Sequence, residues 1–232
     1  MIVKADKVKR QFLRKRGESN VFNAVDETDF ELAEGKFTVV TGRSGSGKST
    51  LLNMMSGLLA PTSGTITADG KNLYRMDDKQ ISLFRNKNFG LIPQGQTAIF
   101  SLNVFENIML PLTIYGVEKK EPALYEESKK YALELLELTG ISELKDAMPS
   151  ELSGGEMRRM AIARALIRKP EVVFADEPTG DLDDKNTEIV LSLLRRASED
   201  GKTVMLVTHE KEAFEYADIL YRMDAGVLQK GE

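Results

Sequence analysis

The fold is decided by Phe37-Thr38-Val39-Val40-Thr41-Gly42-Arg43-Ser44-Gly45-Ser46-Gly47-Lys48-Ser49-Thr50. A short apolar, β-branched run ends in a glycine-rich turn, and a helical pattern opens directly behind it. The turn fits G-x-x-x-x-G-K-[ST] with both flanks in place, a strand before and a helix after. Glycines let backbone N–H groups converge on an anion, and the helix points its positive dipole end at the same spot. Gly42, Arg43, Ser44, Gly45, Ser46, Gly47 and Thr50 therefore form a candidate phosphate cradle. Lys48 is the cation expected at the β- and γ-phosphates, and Ser49 the hydroxyl expected to reach Mg²⁺. An ordinary glycine-rich turn needs neither that lysine nor that frame.

Working outward, further apolar runs at 89–92, 172–175 and 204–207 read as buried strands. Helical spacing marks 49–59, 125–138, 156–168 and 188–197. The alternation predicts an α/β fold with a largely parallel sheet, in which ligands bind where strands end and helices begin. One strand end carries two acids, Val172-Val173-Phe174-Ala175-Asp176-Glu177. Asp176 is placed to hold Mg²⁺ through its water shell, and Glu177 to orient or deprotonate a water. Residues 94–157 break the rhythm and read as a helical insertion. Residues 3–37 and Gly64-Thr65-Ile66-Thr67-Ala68, with a turn at Asp69-Gly70, read as an antiparallel β flank.

The 232 residues suffice for one large domain, and no repeat or linker divides them. No apolar stretch approaches the roughly 20 residues that span a bilayer, and no leader-like segment follows the polar start, so a cytoplasmic chain is expected. Cys 0 removes thiolate chemistry, and His 1 confines any imidazole role to His209. A net charge of -4 argues against a nucleic-acid binder that relies on bulk charge.

Leu152-Ser153-Gly154-Gly155-Glu156, followed by Met157-Arg158-Arg159-Met160-Ala161-Ile162-Ala163-Arg164-Ala165-Leu166, resembles the signature segment of the ATP-binding-cassette family. The order of motifs is similar too: phosphate loop, Gln94, residues 152–156, Asp176-Glu177, Asp183 and His209, over residues 3–228. The resemblance implies a P-loop NTPase (RecA-like) core, residues 1–93 and 158–232, with a helical subdomain at 94–157. It implies catalysis by Glu177, His209 and Lys48, with ATP and Mg²⁺ as cofactors and Ser49, Gln94 and Asp176 at the metal. Ser153, Gly154 and Gly155 of one copy are then expected over ATP held by a second copy, with Asp183 communicating across that dimer. Residue chemistry alone also allows Ser153 and Asp183 to be plain helix caps. Gln96 competes with Gln94 for the glutamine role. Phe12 is the expected adenine platform in the absence of an upstream Tyr, with Phe22 as runner-up.

Ala175-Asp176-Glu177-Pro178-Thr179-Gly180-Asp181-Leu182-Asp183 is similar to the branch of lipoprotein-releasing, macrolide-exporter, antimicrobial-peptide-export and cell-division ATPases. This implies an ATP hydrolase that drives a separate membrane permease from the inner face of the membrane. Importer ATPases, non-transport cassettes and, more remotely, a P-loop kinase or GTPase stand as rival readings. The apolar run 99–112 is expected mainly as the insertion's own core, with Ile99, Phe100 and Phe105 as candidates for a groove that receives a permease helix.

Overall fold

The computed structural model describes residues 1–13, 21–95 and 97–231. Its strands are β1 (Val3–Leu13), β2 (Val21–Leu32), β3 (Phe37–Thr41), β4 (Ser63–Ala68), β5 (Lys71–Asn72), β6 (Phe89–Ile92), β7 (Val172–Asp176), β8 (Thr203–Thr208), β9 (Ile219–Asp224) and β10 (Val227–Lys230). Its helices are α1 (Lys48–Met55), α2 (Asp78–Asn88), α3 (Val104–Thr113), α4 (Val117–Lys120), α5 (Pro122–Leu138), α6 (Gly154–Leu166) and α7 (Asp184–Glu199). Six strands form the main sheet in the order β10-β9-β3-β8-β7-β6, parallel except for the β9–β10 hairpin. A second, antiparallel sheet runs β2-β1-β4-β5. This is the expected α/β core with its β flank and helical insertion.

The central strands read as unbroken apolar runs because both faces are buried. Phe37, Val39, Val173, Ala175, Val204 and Leu206 enter one core with Ile108 of α3, Leu135 of α5, Met160 of α6 and Leu194 of α7. Their neighbours Val40, Val172, Phe174, Met205 and Val207 enter the other, with Leu51 and Met54 of α1 and Val3 and Ile66 of the β flank. The alternation follows the two-residue period of a strand. Because β3, β6, β7 and β8 run parallel, the loops after all four open on one edge of the sheet, and the site is built there.

Several expectations need correction. The helix expected over 49–59 ends at Met55, because Gly57 turns left-handed at φ 74. The helix expected over 156–168 begins two residues earlier, where Ser153 caps it. Neither α2 nor the β9–β10 hairpin was expected. Phe105 packs half-buried against the core and does not belong to an open groove, whereas Ile99 and Phe100 are exposed.

Candidate nucleotide and catalytic site

The loop between β3 and α1 has the backbone its glycines predict. Gly42, Gly45 and Gly47 all hold positive φ, at 156, 77 and 108. At two of them space is also decisive: a Cβ on Gly42 would lie 2.1 Å from Met223 O, and one on Gly47 2.1 Å from Ala24 O. The cradle is therefore pressed against β9 on one side and β2 on the other, and Gly226 N–H donates to Ser46 O at 2.9 Å. The side chain of Ser46 is buried.

Lys48 is buried and donates through Nζ to Gly42 O (2.8 Å) and Arg43 O (3.1 Å). Its ammonium lies 3.5 Å from Glu177 Oε1. The other carboxylate oxygen of Glu177 lies 3.0 Å from His209 Nδ1, a contact satisfied when Nδ1 carries the proton. Both oxygens of one buried carboxylate are thus oriented, one by a cation and one by an imidazole. Glu177 has φ 46, a left-handed backbone for a non-glycine residue, and its N–H is held by Val207 O at 2.9 Å. Such a conformation costs roughly 1–2 kcal/mol and persists where its surroundings over-determine it.

Ser49 Oγ donates to Asp176 Oδ1 at 2.8 Å. Burial pushes the Asp176 carboxyl above the usual range; the Ser49 bond opposes this, neighbouring Glu177 adds to it, and Lys48 opposes it again. A hydroxyl and a carboxylate in contact are the hard oxygen donors a divalent cation takes.

An open cleft of ≈ 250 Å³ joins these pieces. It is lined by Phe12, Phe22, Ala24, Ser44, Gly45, Gly47, Lys48, Ser49, Thr50, Gln94 and Glu177. Phe12 and Phe22 face each other across β1 and β2, and the Arg10 guanidinium lies 4.6 Å from the Phe12 ring centroid. Gln94 is exposed at the mouth, where the chain leaves β6. Its competitor, Gln96, lies outside the described residues.

Ser153, Gly154, Gly155 and Asp183 are absent from this lining. Ser153 caps α6 in a reciprocal pair with Glu156, whose carboxyl is held below its ordinary range by the Ser153 N–H and hydroxyl. Gly154 is exposed beside Gly95, Arg158, Gly180 and Asp181. Gly155 is buried for a different reason, since a Cβ there would lie 2.4 Å from Asn186 Oδ1. Asp183 caps α7, and its carboxyl is held low by the Asn186 N–H and side-chain amide. The cap that residue chemistry allowed is therefore present at both Ser153 and Asp183. Sequence reasoning missed Arg158 and Arg164 of α6, which donate to Pro93 O and Gly95 O and to Thr97 respectively. Charge at those positions reads on paper as an ordinary helix surface.

A glycine cradle and buried lysine after β3, with two acids after β7 on the same edge of a parallel sheet, define a P-loop nucleotide hydrolase. Residues 25–180 match the ABC transporter family. The chain is 41% identical over 206 residues to the lipoprotein-releasing system ATP-binding protein LolD of Treponema denticola, covering 88% of each chain. It is 38% identical over 212 residues to the macrolide export ATP-binding/permease protein MacB of Chlorobaculum tepidum, covering 91% of this chain and 31% of that one. Among solved structures it superposes on the dimeric post-hydrolysis state of the ATP-binding cassette MJ0796 bound to ADP and Pi, at 33% identity and TM-score 0.85, covering 98% of each chain. The chain belongs to the ABC transporter family. It is an ATP-binding and ATP-hydrolysing subunit of such a transporter.

Proposed function

We propose that two copies of this chain close head to tail around two MgATP, and that closing and reopening drive a permease on a separate chain. The observation that carries this reading is the separation, within one chain, of the Lys48 cleft from the exposed helix end at Ser153 and Gly154. That helix end offers free N–H groups and a positive dipole, the chemistry that binds an anion. A second copy supplies it with one.

Within each site the adenine stacks on Phe12, whose ring is backed by Arg10, with Phe22 opposite. The N–H groups of the loop and Lys48 bind the phosphates. Ser49 and Asp176, with Gln94 nearby, would hold Mg²⁺. When bound, the cation screens charge on the transferring phosphoryl group. Glu177, fixed between Lys48 and His209, accepts a hydrogen bond from the attacking water and aligns it. Ser153 and Gly154 of the second copy complete the pocket.

Residues 94–157 act as the helical subdomain on a core of 1–93 and 158–232, with α6 crossing the junction. A groove of ≈ 330 Å³ between α2, α3 and α6, which sets Leu58, Leu110, Pro111 and Ile114 beside Arg85, Arg164 and Arg168, is the face offered to the permease. The names of the LolD and MacB relatives support outward movement of a lipoprotein, lipid, peptide or drug, with this chain peripheral at the inner face of the membrane. No helix among the described residues is long and apolar enough to cross a membrane.

The test is Glu177→Gln with MgATP, read by light scattering on a sizing column. A dimer that forms with MgATP and disperses on its removal is the expected result. A monomer at saturating MgATP would overturn the head-to-tail reading.

A further inference from the structure

The loops that leave β7 and β8 are joined by a bond with no part in the scheme above: Thr179 Oγ1 donates to Glu210 Oε2. Thr179 lies two residues past Glu177 and is 1% exposed. Its own loop is closed by Gly180 N–H to Glu177 O at 3.3 Å and by Leu182 N–H to Thr179 O at 3.1 Å. Glu210 directly follows His209, and its N–H donates to Thr208 Oγ1 at 3.1 Å, where Thr208 is fully buried at the end of β8.

His209 itself is weakly held. Its side chain is 60% exposed and meets Glu177 Oε2 at 3.0 Å. Because exposed side chains exchange rotamers readily, the contact with Glu177 depends on where the backbone delivers the imidazole. That backbone is fixed on one side by Thr208 in the sheet and on the other by Glu210. The bond to Glu210 is charge-assisted, and roughly twice as strong as a neutral one. It also reaches back to the loop that carries Glu177, so the two catalytic loops share one reference point.

We propose that Thr179 and Glu210 are positioning residues for ATP hydrolysis: their bond latches the loop after β8 to the loop after β7 and so holds His209 against Glu177. This rests on the reading that Glu177 and His209 arrange the attacking water. Neither latch residue lines the nucleotide cleft, so the latch acts on turnover and leaves ATP binding alone.

The experiment measures MgATP hydrolysis by the full chain for Thr179→Val, Thr179→Ser, Glu210→Ala, Glu210→Gln and the Val/Ala double variant, with His209→Ala alongside. Thr179→Val keeps the shape and removes the hydroxyl, whereas Thr179→Ser and Glu210→Gln keep a donor and an acceptor. The expected result is about a tenfold fall in kcat for Thr179→Val and Glu210→Ala, with KM for ATP changed less than about twofold. The serine and glutamine variants should recover most of the rate, and the double variant should be no slower than either single, since both remove one bond. If Thr179→Val fails to fold, Glu210→Ala against Glu210→Gln carries the same comparison from the half-buried side. Wild-type kcat in Glu210→Ala, or equal losses with and without the hydrogen-bonding group, would overturn the latch. Full activity in His209→Ala would overturn instead the reading beneath it.

Discussion

Asp176 serves folding and chemistry in opposite directions. Its carboxyl is pushed up by burial and by Glu177, and pulled back only in part by Ser49 and Lys48, so the folded protein favours the protonated form more than the unfolded chain does. A group whose folded pKa is raised contributes stability at low pH and loses it as pH rises through that pKa. Near neutral pH the ionised carboxylate is therefore a net burden on the fold of the ligand-free protein. Asp176→Asn keeps an acceptor for Ser49 and removes the charge. Without nucleotide or metal it should melt higher than wild type by a few degrees at about pH 8, the order that about 1 kcal/mol gives a domain this long. The difference should shrink toward acid pH, as the wild-type carboxyl takes up its proton. Magnesium-dependent hydrolysis should be lost. Calorimetry across pH checks this, and an advantage that grows toward acid would contradict it.

At the scale of elements, the two signature glycines have different physical reasons. Gly155 is buried, with Asn186 Oδ1 only 2.4 Å from where a Cβ would stand, and Asn186 is itself held by Asp183 and Arg159. Gly154 is exposed, with Leu182 Cδ2 at 3.9 Å from its Cβ position, which is ordinary contact distance. Gly155→Ala should displace the Asn186 side chain from Arg159 and Asp183 and cost about 1 kcal/mol of stability, by chemical denaturation of the single chain. Gly154→Ala should leave that stability within about 0.5 kcal/mol and lower hydrolysis only through weaker dimer closure. Equal destabilisation by both would show that the packing argument is wrong. The family resemblance pointed to both glycines but not to this division, because Asn186 is distant in sequence and only the packing of α6 on α7 brings it near. The same limit explains the other misses. β3, β6, β7 and β8 were legible because both faces are buried and the residues say so. α2 was not, because Ile81 is its one buried residue among eleven, and β9–β10 was not, because its strands are half-exposed. The phosphate loop and the paired acids were legible as candidates because their chemistry is local to strand ends, whereas His209 came from the family resemblance. The contacts between their loops are made only by the fold.

At the scale of the whole molecule, the parallel sheet puts the nucleotide cleft along one edge, while the groove opens beside β6, the strand whose end carries Gln94. A permease segment in that groove, as proposed, would be separated from the cleft by β6 and the Gln94 loop, which Arg158 and Arg164 of α6 grip through its backbone. Ile114 tests this division of labour. It lines the groove, is 66% exposed and stands just past the end of α3, so a charge there costs the fold little. Its neighbour Leu112 is 1% exposed in the core, where a charge has no partner and should unfold the chain. Ile114→Glu should leave hydrolysis by the purified chain within about twofold of wild type, because the groove shares no residue with the nucleotide cleft. The same variant should lose co-purification with its membrane partner, and transport with it, because a carboxylate would have to be desolvated against an apolar segment. Intact co-purification with full transport would move the docking face elsewhere, to the exposed Ile99 and Phe100. Lost hydrolysis in the isolated chain would mean instead that the groove and the ATP site cannot be separated, and that α3 reports directly on the Gln94 loop.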